Sequence, residues 1–264
     1  MKKIGFIGMG NMAKALAVGF IKSGKVKAED MFAYAPNQAK LAANGAEVGF
    51  TPCASVKELV GASDVVIMAC KPYQIEGVLK EVGDDLAGKM LVSVAISWDY
   101  QRYQPLLRED VHFQYILPNT PCQVGEGVFL MEINHSLTEE QWNWFHDLLE
   151  GCGTVVKLPG HLIDAGSAVA GCGPAFISMM MEAMGDAAVK HGIPRAEAYK
   201  LVGQMVTGTG KMMLETGKHP AVLKDEVCSP GGTTIRGVSA LEHAGMRAAF
   251  IDAVDAATGK DPRW

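Results

Sequence analysis

The chain has 264 residues, of which 48% are hydrophobic, and a formal net charge of −5 at pH 7. This length and composition are ordinary for a water-soluble globular protein of one or two domains. The small negative charge excludes a broadly basic surface, so nucleic acid is not an expected partner.

The six cysteines show no C-x-x-C spacing, which favours reduced thiols in a cytoplasmic protein over a disulfide framework or a structural zinc site. The seven histidines show no metal-ligand spacing either, so no metal is expected. Polar residues and glycines break the N-terminal apolar run, which does not fit a signal peptide. Residues 165–181 come nearest to a membrane span, but Gly171, Gly173 and Pro174 interrupt them, so no span is expected.

The first part of the chain alternates between strand-like and helix-like patterns. We predict strands over residues 3–7, 31–34, 64–70, 90–95 and 112–117, with helices that include residues 37–43 and 74–82. Gly45 is expected to end the first of these two helices. The run DVVIMAC at residues 64–70 is continuously apolar, as in a strand buried on both faces. This alternation predicts an α/β fold with a doubly wound, Rossmann-type parallel sheet.

From about residue 160 onward the pattern is helical. Glycines and prolines mark the expected ends of the helices: Pro174 and Gly192, Pro194 and Gly217, Thr234 and Gly245, and a last helix that reaches about Gly259. We therefore predict two domains, an α/β domain over residues 1–160 and an all-helical domain over residues 161–264.

One segment of the helical part is rich in methionine. Residues 177–184 contain four methionines and are apolar on more than one face. A helix of this kind must be buried, and a helical domain of this size offers little core in which to bury it. We therefore predict a homodimer through the helical domain.

The first strand leads into the sequence Gly8-Met9-Gly10-Asn11-Met12-Ala13, which fits G-x-G-x-x-[GA]. Gly8 would make the tight turn after Ile7, Gly10 would let a pyrophosphate approach the backbone, and Ala13 would allow close helix–strand packing. The helix start would add N–H groups and the positive end of a dipole. The alternative is a glycine-rich turn with a packing role alone.

The end of the second strand bears on the choice of cofactor. The sequence Ala35-Pro36-Asn37-Gln38 has no carboxylate of the kind that binds the ribose 2′-hydroxyl of NAD. Asn37 and Gln38 can instead donate hydrogen bonds to a 2′-phosphate, which favours NADP(H) and leaves NADH possible. A helix cap is the alternative role for Asn37.

The stretch Ala69-Cys70-Lys71-Pro72 ends the buried strand, where ligands of such sheets bind. Lys71 would supply a positive charge near the nicotinamide and its phosphates, or it is a solvated loop lysine. Ala95, at the end of the next strand, is assigned to the same cofactor site.

A second glycine-rich loop, Ser229-Pro230-Gly231-Gly232-Thr233-Thr234, precedes a predicted helix. Glycine permits backbone angles that other residues avoid, and a helix start offers N–H groups to an anion. The alternative is a capping turn and nothing more.

Three stretches carry a resemblance to a known family: GFIGMGNMA, ACKP and LKDEVCSPGGTTIRGVSALE. Together they resemble pyrroline-5-carboxylate reductase. The resemblance implies reduction of 1-pyrroline-5-carboxylate to L-proline, a preference for NADPH, and an interlocked dimer that can assemble further. It places the substrate carboxylate, a small-molecule partner, on Ser229, Gly231, Gly232, Thr233 and Thr234, with the Thr234 hydroxyl as the catalytic donor to the ring nitrogen or carboxylate.

The chain departs from the family pattern at Val94-Ala95-Ile96-Ser97-Trp98, where the family usually has a small Ala-Gly turn. Two alternatives therefore stay open. A β-hydroxyacid or related imine oxidoreductase shares the N-terminal motif, but it needs a lysine after a glycine-rich turn that this chain lacks at Gly171–Gly173. A non-catalytic NADP-binding regulator is the second alternative, and a related cyclic imine is a possible substrate.

Overall fold

The computed structural model describes residues 2–259 and divides them into two compact units, the first ending at Gly171 and the second beginning at Cys172. The predicted boundary after residue 160 lies at the start of the helix over residues 160–170, whereas the observed division lies after its end. That helix packs on the sheet of the first unit. The Asn119 side-chain amide donates to the Ala170 carbonyl at 2.9 Å, and a Cβ on Gly166 would lie 2.9 Å from Leu130.

The first unit is built on one sheet. Its strands are Ile4–Ile7 (β1), Met31–Tyr34 (β2), Thr51–Pro52 (β3), Val65–Met68 (β4), Met90–Ser93 (β5), His112–Pro118 (β6), Gly127–His135 (β7) and Gly153–Leu158 (β8). Their order is β3-β2-β1-β4-β5-β6-β7-β8, and every neighbouring pair is parallel except β6 and β7. The predicted Rossmann-type α/β fold is confirmed, with an antiparallel step near one edge.

Helices cover both faces of this sheet. They are Asn11–Lys22 (α1), Gln38–Val48 (α2), Val56–Ala62 (α3), Ile75–Val82 (α4), Tyr100–Tyr103 (α5), Glu139–Glu150 (α6) and Gly160–Ala170 (α7). Strand alternation sends Phe6 to one core cluster with Leu16 and Phe20 of α1, and sends Ile7 to the other with Leu59 and Ile75. All four residues of β4 are buried, as its apolar run predicts.

Some element boundaries differ from the sequence expectation. Gly45 does not end α2, because it lies buried inside the helix, where its missing Cβ makes room for Pro52 and the Phe50 carbonyl. The helix ends at Gly49, which has a left-handed φ of 98°. The edge strand β3 was not predicted, since two residues carry no periodicity, and its Pro52 is tolerated because an edge strand needs no N–H there.

The second unit is helical throughout, as predicted. Its helices are Gly173–Lys190 (α8), Arg195–Thr216 (α9), Pro220–Glu226 (α10), Thr233–His243 (α11) and Met246–Ala257 (α12). Pro174 lies in the first turn of α8 and Gly192, just past its end, has a φ of 93°. The short α10 was not predicted. Among residues 172–259, only Gly185, Ala198 and Val202 are buried, so this unit has almost no core of its own.

The stretch from α7 into α8 is unusually apolar. Residues 160–190 are long enough, and the mean hydropathy of 1.3 over an 18-residue window within them is high enough, to meet the composition test for a membrane span. The sequence expectation of no span rested on the glycines and the proline inside this stretch. One such helix is weak evidence for a membrane, because helices buried between protein surfaces have the same composition.

Candidate active site

The turn after β1 requires glycine at its first position. Gly8 has a φ of 98°, and its N–H donates to the Tyr34 carbonyl of β2 at 2.8 Å. A Cβ on Gly8 would lie 2.6 Å from the Ala69 carbonyl oxygen, which follows β4. The backbones of three neighbouring strands therefore meet at this turn, and a side chain would push them apart.

The start of α1 is open, in contrast to the turn before it. Gly10 is the N-cap residue, and a Cβ there would meet no described atom within 4 Å. No side chain in residues 2–259 caps the helix, so the first-turn N–H groups of Asn11, Met12 and Ala13 face this space without a side-chain partner. An uncapped helix start beside open space fits a phosphate.

Two of the predicted cofactor residues turn their side chains away from this space. Ile7 and Met9 are 2% and 5% exposed and belong to the two core clusters, so only their backbones can contact a ligand. Ala13 is 1% exposed, which agrees with the predicted close packing of α1 on the sheet.

The loop after β2 is held by its own side chains. The side-chain Oδ1 of Asn37 accepts from the Lys40 N–H at 3.0 Å and caps α2, and this leaves the side-chain NH2 of Asn37 for other partners. The Gln38 amide nitrogen donates to the Ala35 carbonyl at 2.9 Å, so Gln38 shapes the loop and is not a free donor. Ala35 is half-buried, and Pro36 and Asn37 are exposed.

The loop after β4 lies at the same carboxyl edge of the sheet. The Ala69 N–H donates to the Ile7 carbonyl at 2.9 Å, and the Lys71 N–H donates to Gln74 Oε1 at 3.0 Å. The Lys71 side chain is exposed, while burial raises the pKa of the Cys70 thiol to about 11. Cys70 is thus an unreactive thiol, and Lys71 is the exposed positive charge of the loop.

The turn after β5 is where the sequence departs from the family pattern. Ala95 is buried, Ile96 is 52% exposed and Trp98 is 6% exposed. Ser97 has a φ of 62° and is the one non-glycine residue with positive φ among residues 2–259. A cavity of about 470 Å³ lies between this turn and the loop after β4, lined by Pro72, Tyr73, Glu76, Ile96, Ser97, Trp98 and Arg102.

A buried carboxyl group near this turn is not predicted from the sequence. Glu132 of β7 is 1% exposed and accepts the Tyr100 N–H at 2.8 Å. Burial raises its pKa above the usual value, the Tyr100 hydrogen bond opposes this, and the negative charge of Asp99 adds to the rise. The only sequence signal is a single acidic residue inside the apolar run GVFLMEINH.

Two buried phenols lie close to the same turn. The hydroxyls of Tyr103 and Tyr115 have no hydrogen-bond partner within the part of the chain that the structure describes. Burial raises the pKa of both, with smaller opposing effects from the Ser93 hydroxyl on Tyr103 and the Ser97 backbone on Tyr115. Both phenols therefore stay neutral at physiological pH. In the sequence they look like ordinary core aromatic residues.

The second predicted group of site residues lies in the second unit, at the start of α11. Gly231 has a φ of 67°, and Gly232 is the N-cap residue. The Gly232 N–H donates to the Ser229 carbonyl at 3.0 Å, which corrects the expectation that it faces an anion. A Cβ on Gly232 would crowd the Ser229 hydroxyl and lie 3.1 Å from the Ser229 carbonyl oxygen, so glycine fits this position without displacing that side chain.

The remaining donors of this loop are accessible. Ser229, Gly231, Thr233 and Thr234 are exposed, and no described side chain caps α11. Two uncapped helix starts, one in each unit, are therefore the geometric features that the predicted site residues share. Each can hold an anionic group through backbone N–H donors.

Comparison with known proteins identifies the family. The family model described as pyrroline-5-carboxylate reductase dimerisation matches residues 160–263, and the model described as NADP oxidoreductase coenzyme F420-dependent matches residues 3–97. A pyrroline-5-carboxylate reductase from Treponema pallidum is 40% identical over 258 residues, which are 96% of this chain and 98% of that protein. The chain belongs to the pyrroline-5-carboxylate reductase family.

Other members of the reductase family agree. The Escherichia coli pyrroline-5-carboxylate reductase is 39% identical over 96% of this chain and 94% of its own length. The crystal structure of the Plasmodium falciparum pyrroline carboxylate reductase with NADP bound superposes with a TM-score of 0.87 at 30% identity, covering 98% of this chain and 96% of that one. The resemblance drawn from the three sequence stretches is confirmed, and the β-hydroxyacid oxidoreductase alternative gives way to it.

The reductase dimerisation model begins at residue 160, the first residue of α7. By packing, α7 belongs to the sheet unit, whereas by family description it belongs with the dimerisation segment. The contacts of α7 therefore place the domain boundary after this helix, and the family model places it before the helix.

Proposed function

We propose that this protein reduces 1-pyrroline-5-carboxylate to L-proline, with NADPH as the reductant, in the cytoplasm. The observation that carries the proposal is the 40% identity to a pyrroline-5-carboxylate reductase over 96% of the chain. The two uncapped helix starts give it a physical basis, because the reaction brings together two anionic molecules, a dinucleotide and a cyclic carboxylate.

The first helix start is suited to the cofactor. Gly8 makes the close turn, and the N–H groups of Asn11 and Met12 bind the pyrophosphate in the open space at Gly10. Backbone atoms of Ile7 and Met9 border the same space. When bound, the reduced nicotinamide supplies a hydride to C2 of the substrate ring, the imine carbon that becomes C5 of proline.

The remaining cofactor contacts follow from the strand order. The loop of Ala35, Pro36 and Asn37 holds the adenosine end, and its lack of a carboxylate together with the Asn37 amide favours a 2′-phosphate. The loop over residues 69–72, with Ala95, borders the nicotinamide end. Lys71 adds a positive charge there, which attracts the phosphates and stabilises the bound state.

The second helix start is suited to the substrate carboxylate. The N–H groups of Gly231, Thr233 and Thr234 are the donors, and Ser229 adds its hydroxyl. Gly232 contributes through its lack of a side chain, because its N–H already donates to the Ser229 carbonyl within the turn. The carboxylate held at this point fixes the orientation of the ring, so that positioning carries much of the rate.

The reaction requires little proton transfer by the side chains of the protein. The ring nitrogen carries a proton before reduction, the imine carbon C2 gains the hydride, and the π electrons of the C=N bond become the nitrogen lone pair of the product. The Thr234 hydroxyl hydrogen-bonds to that nitrogen or to the carboxylate and holds the ring in place. A catalytic Asp, Glu or His is not needed for these steps.

The protein works as a homodimer through its helical unit. Met179 of α8 is 71% exposed in the single chain, and Leu214 of α9 is 69% exposed. A second copy of the chain would bury these residues, and the family model for residues 160–263 is named for dimerisation. Assembly of dimers into larger oligomers is compatible with this arrangement. The apolar stretch over residues 160–190 then packs against protein rather than against the lipids of a membrane.

The test of this function follows NADPH absorbance after addition of 1-pyrroline-5-carboxylate. A six-membered cyclic imine acid and a β-hydroxyacid with NADP+ are the comparison substrates. Rapid oxidation of NADPH with the five-membered imine, and slow turnover with the other two, supports the proposal. Binding of NADPH without turnover of the five-membered imine would point to the non-catalytic regulator instead.

A further inference from the structure

The backbone at Ser97 is unusual within this chain. Its φ of 62° is the left-handed conformation, which favours glycine and is costly for a residue with a Cβ. Such outliers persist only where the surrounding structure holds them, and they cluster at functional sites. The question is therefore what holds Ser97 and what its conformation achieves.

Arg102 holds the turn. Its Nη1 donates to the Ser97 carbonyl at 2.8 Å, and its guanidinium lies 4.9 Å from the Trp98 ring centroid. The Arg102 N–H in turn donates to Asp99 Oδ1 at 3.1 Å, which caps α5. Trp98 itself is buried and meets Tyr103 edge-on at 5.3 Å. The turn is thus fixed on both sides of Ser97.

The consequence of this turn is the position of Ile96. Ala95 before it and Trp98 after it are buried, while Ile96 is 52% exposed. Ile96 lines the cavity of about 470 Å³ together with Pro72 and Tyr73 of the loop after β4. A large aliphatic side chain fixed at a cavity wall by a costly backbone conformation is best explained by a contact with an apolar ligand surface.

The strand order indicates which ligand surface reaches this wall. The glycine turn that fits the pyrophosphate follows β1, and the loop suited to the 2′-phosphate follows β2. The opposite half of the dinucleotide must therefore extend from β1 toward β4 and β5, where Ile96 lies. Nicotinamide has two apolar ring faces, and an aliphatic wall can cover one of them.

We propose that Ile96 forms an apolar wall of the nicotinamide subsite, and that Arg102 is a positioning residue that keeps it there by holding Ser97 in the left-handed conformation. This inference rests on the proposed use of NADPH. It assigns a role to the segment in which this chain departs from the small Ala-Gly turn usual in the family.

The first experiment compares two nucleotides by titration without substrate: NADPH, and 2′,5′-ADP, which lacks the nicotinamide. Ile96→Ala raises the Kd for NADPH about fivefold through lost apolar contact and leaves the Kd for 2′,5′-ADP unchanged. Ile133→Ala is the matched control, because Ile133 is 53% exposed and lies on β7 opposite the middle of β6, outside the loops that follow β4 and β5. It changes neither Kd. An equal change in both Kd values, or no change for NADPH, would overturn the assignment of Ile96.

The second experiment tests Arg102 by rescue. Arg102→Met keeps an apolar stem over Trp98 but removes the donor to the Ser97 carbonyl, and it raises the Kd for NADPH as Ile96→Ala does. Ser97→Gly occupies the left-handed conformation without help. The double variant Ser97→Gly/Arg102→Met therefore recovers most of the NADPH affinity. Loss of affinity in Arg102→Met that Ser97→Gly does not restore would show that Arg102 acts in another way.

These titrations separate the inference from the proposed function. Nucleotide-dependent effects at Ile96 with no turnover of 1-pyrroline-5-carboxylate would support the wall and overturn the reductase. Turnover with an Ile96→Ala variant that binds NADPH normally would overturn the wall alone. A wild-type protein that binds neither nucleotide would overturn both.

Discussion

The Gly8 backbone lies so close to Ala69 that a Cβ on Gly8 would stand 2.6 Å from the Ala69 carbonyl oxygen. This single approach joins the loop that follows β1 to the loop that follows β4. Both loops border the proposed cofactor site. The fold and the site therefore share one steric constraint at this point.

Replacement of Gly8 by alanine tests that constraint. Gly8→Ala lowers the free energy of unfolding by about 1–3 kcal/mol, because the φ of 98° is strained for alanine and the Cβ meets the Ala69 backbone. Urea denaturation measures the loss. Gly24→Ala is the control, since Gly24 has a φ of 73° with open space around it and carries the strain without the collision. Equal losses in the two variants would show that the contact with Ala69 is unimportant.

Gly10→Ala gives the opposite result. Gly10 has a φ of −82° that alanine adopts readily, and its Cβ would meet no described atom within 4 Å. The variant therefore unfolds at the wild-type urea concentration, but its methyl group occupies the space proposed for the pyrophosphate. The Kd for NADPH rises at least tenfold, about 1.4 kcal/mol or more. Unchanged NADPH affinity would contradict the proposed phosphate position.

Thr234→Ala separates positioning of the ring from cofactor binding. Thr234 is exposed at the start of α11, so the change leaves the folded structure intact. Loss of one hydrogen bond to a charged group reduces kcat/KM about tenfold to a hundredfold. The Kd for NADPH stays the same, and Thr234→Ser, which keeps the hydroxyl, retains most of the activity. Steady-state kinetics and NADPH titration together provide the check.

Met179→Glu tests the dimer. Met179 is 71% exposed in the single chain, and a carboxylate there would have to be buried without a partner in the dimer. Sedimentation velocity should show a shift toward monomer. Leu106→Glu, at a residue 46% exposed in the first unit, should leave the dimer intact. A dimer that withstands Met179→Glu would place the interface elsewhere on the helical unit.

Glu132→Gln has a pH-dependent effect on stability. Burial raises the pKa of Glu132 in the folded state, so the folded protein binds its proton more tightly than the unfolded chain does. The contribution of Glu132 is fully present below its unfolded pKa of 4.5 and is lost as pH rises through the folded value. Glu132→Gln removes this loss and can still accept the Tyr100 N–H. Its gain in stability over wild type should grow as pH rises from below 4.5 through the raised folded-state pKa of Glu132.

Urea denaturation at several pH values would follow that gain. A difference between variant and wild type that stays constant with pH would mean that Glu132 does not titrate in this range. The comparison cancels the titration of other carboxylates, because both proteins share them.

Much of the fold could be predicted from local pattern. The continuous apolar run of β4 and the G-x-G-x-x-A turn before α1 are strong local signals, and the structure follows them. The prediction that Gly45 ends α2 was wrong, because in a sequence a glycine that allows close packing looks the same as a glycine that ends a helix. Two-residue β3 and short α10 fall below the length at which periodicity is informative.

The sequence indicates candidate site residues, but it does not indicate the contacts that these residues make. The Ser97 departure is visible in the sequence, but its φ of 62° and its hydrogen bond from Arg102 depend on the buried position of Trp98. The Gly232 N–H looks free in a glycine-rich loop, and only the turn geometry shows that Ser229 accepts it. Glu132 becomes notable only when β7 is known to be buried.

The near absence of a core in the second unit makes its stability a property shared between chains. With only Gly185, Ala198 and Val202 buried among residues 172–259, the single chain has little to lose by opening. Dilution therefore weakens this unit, and its apparent melting temperature rises with protein concentration. In a cell that makes two versions of this chain, an inactive copy with an intact α8 would still dimerise with an active copy. The mixed dimer would then have a lower activity than the dimer of two active copies.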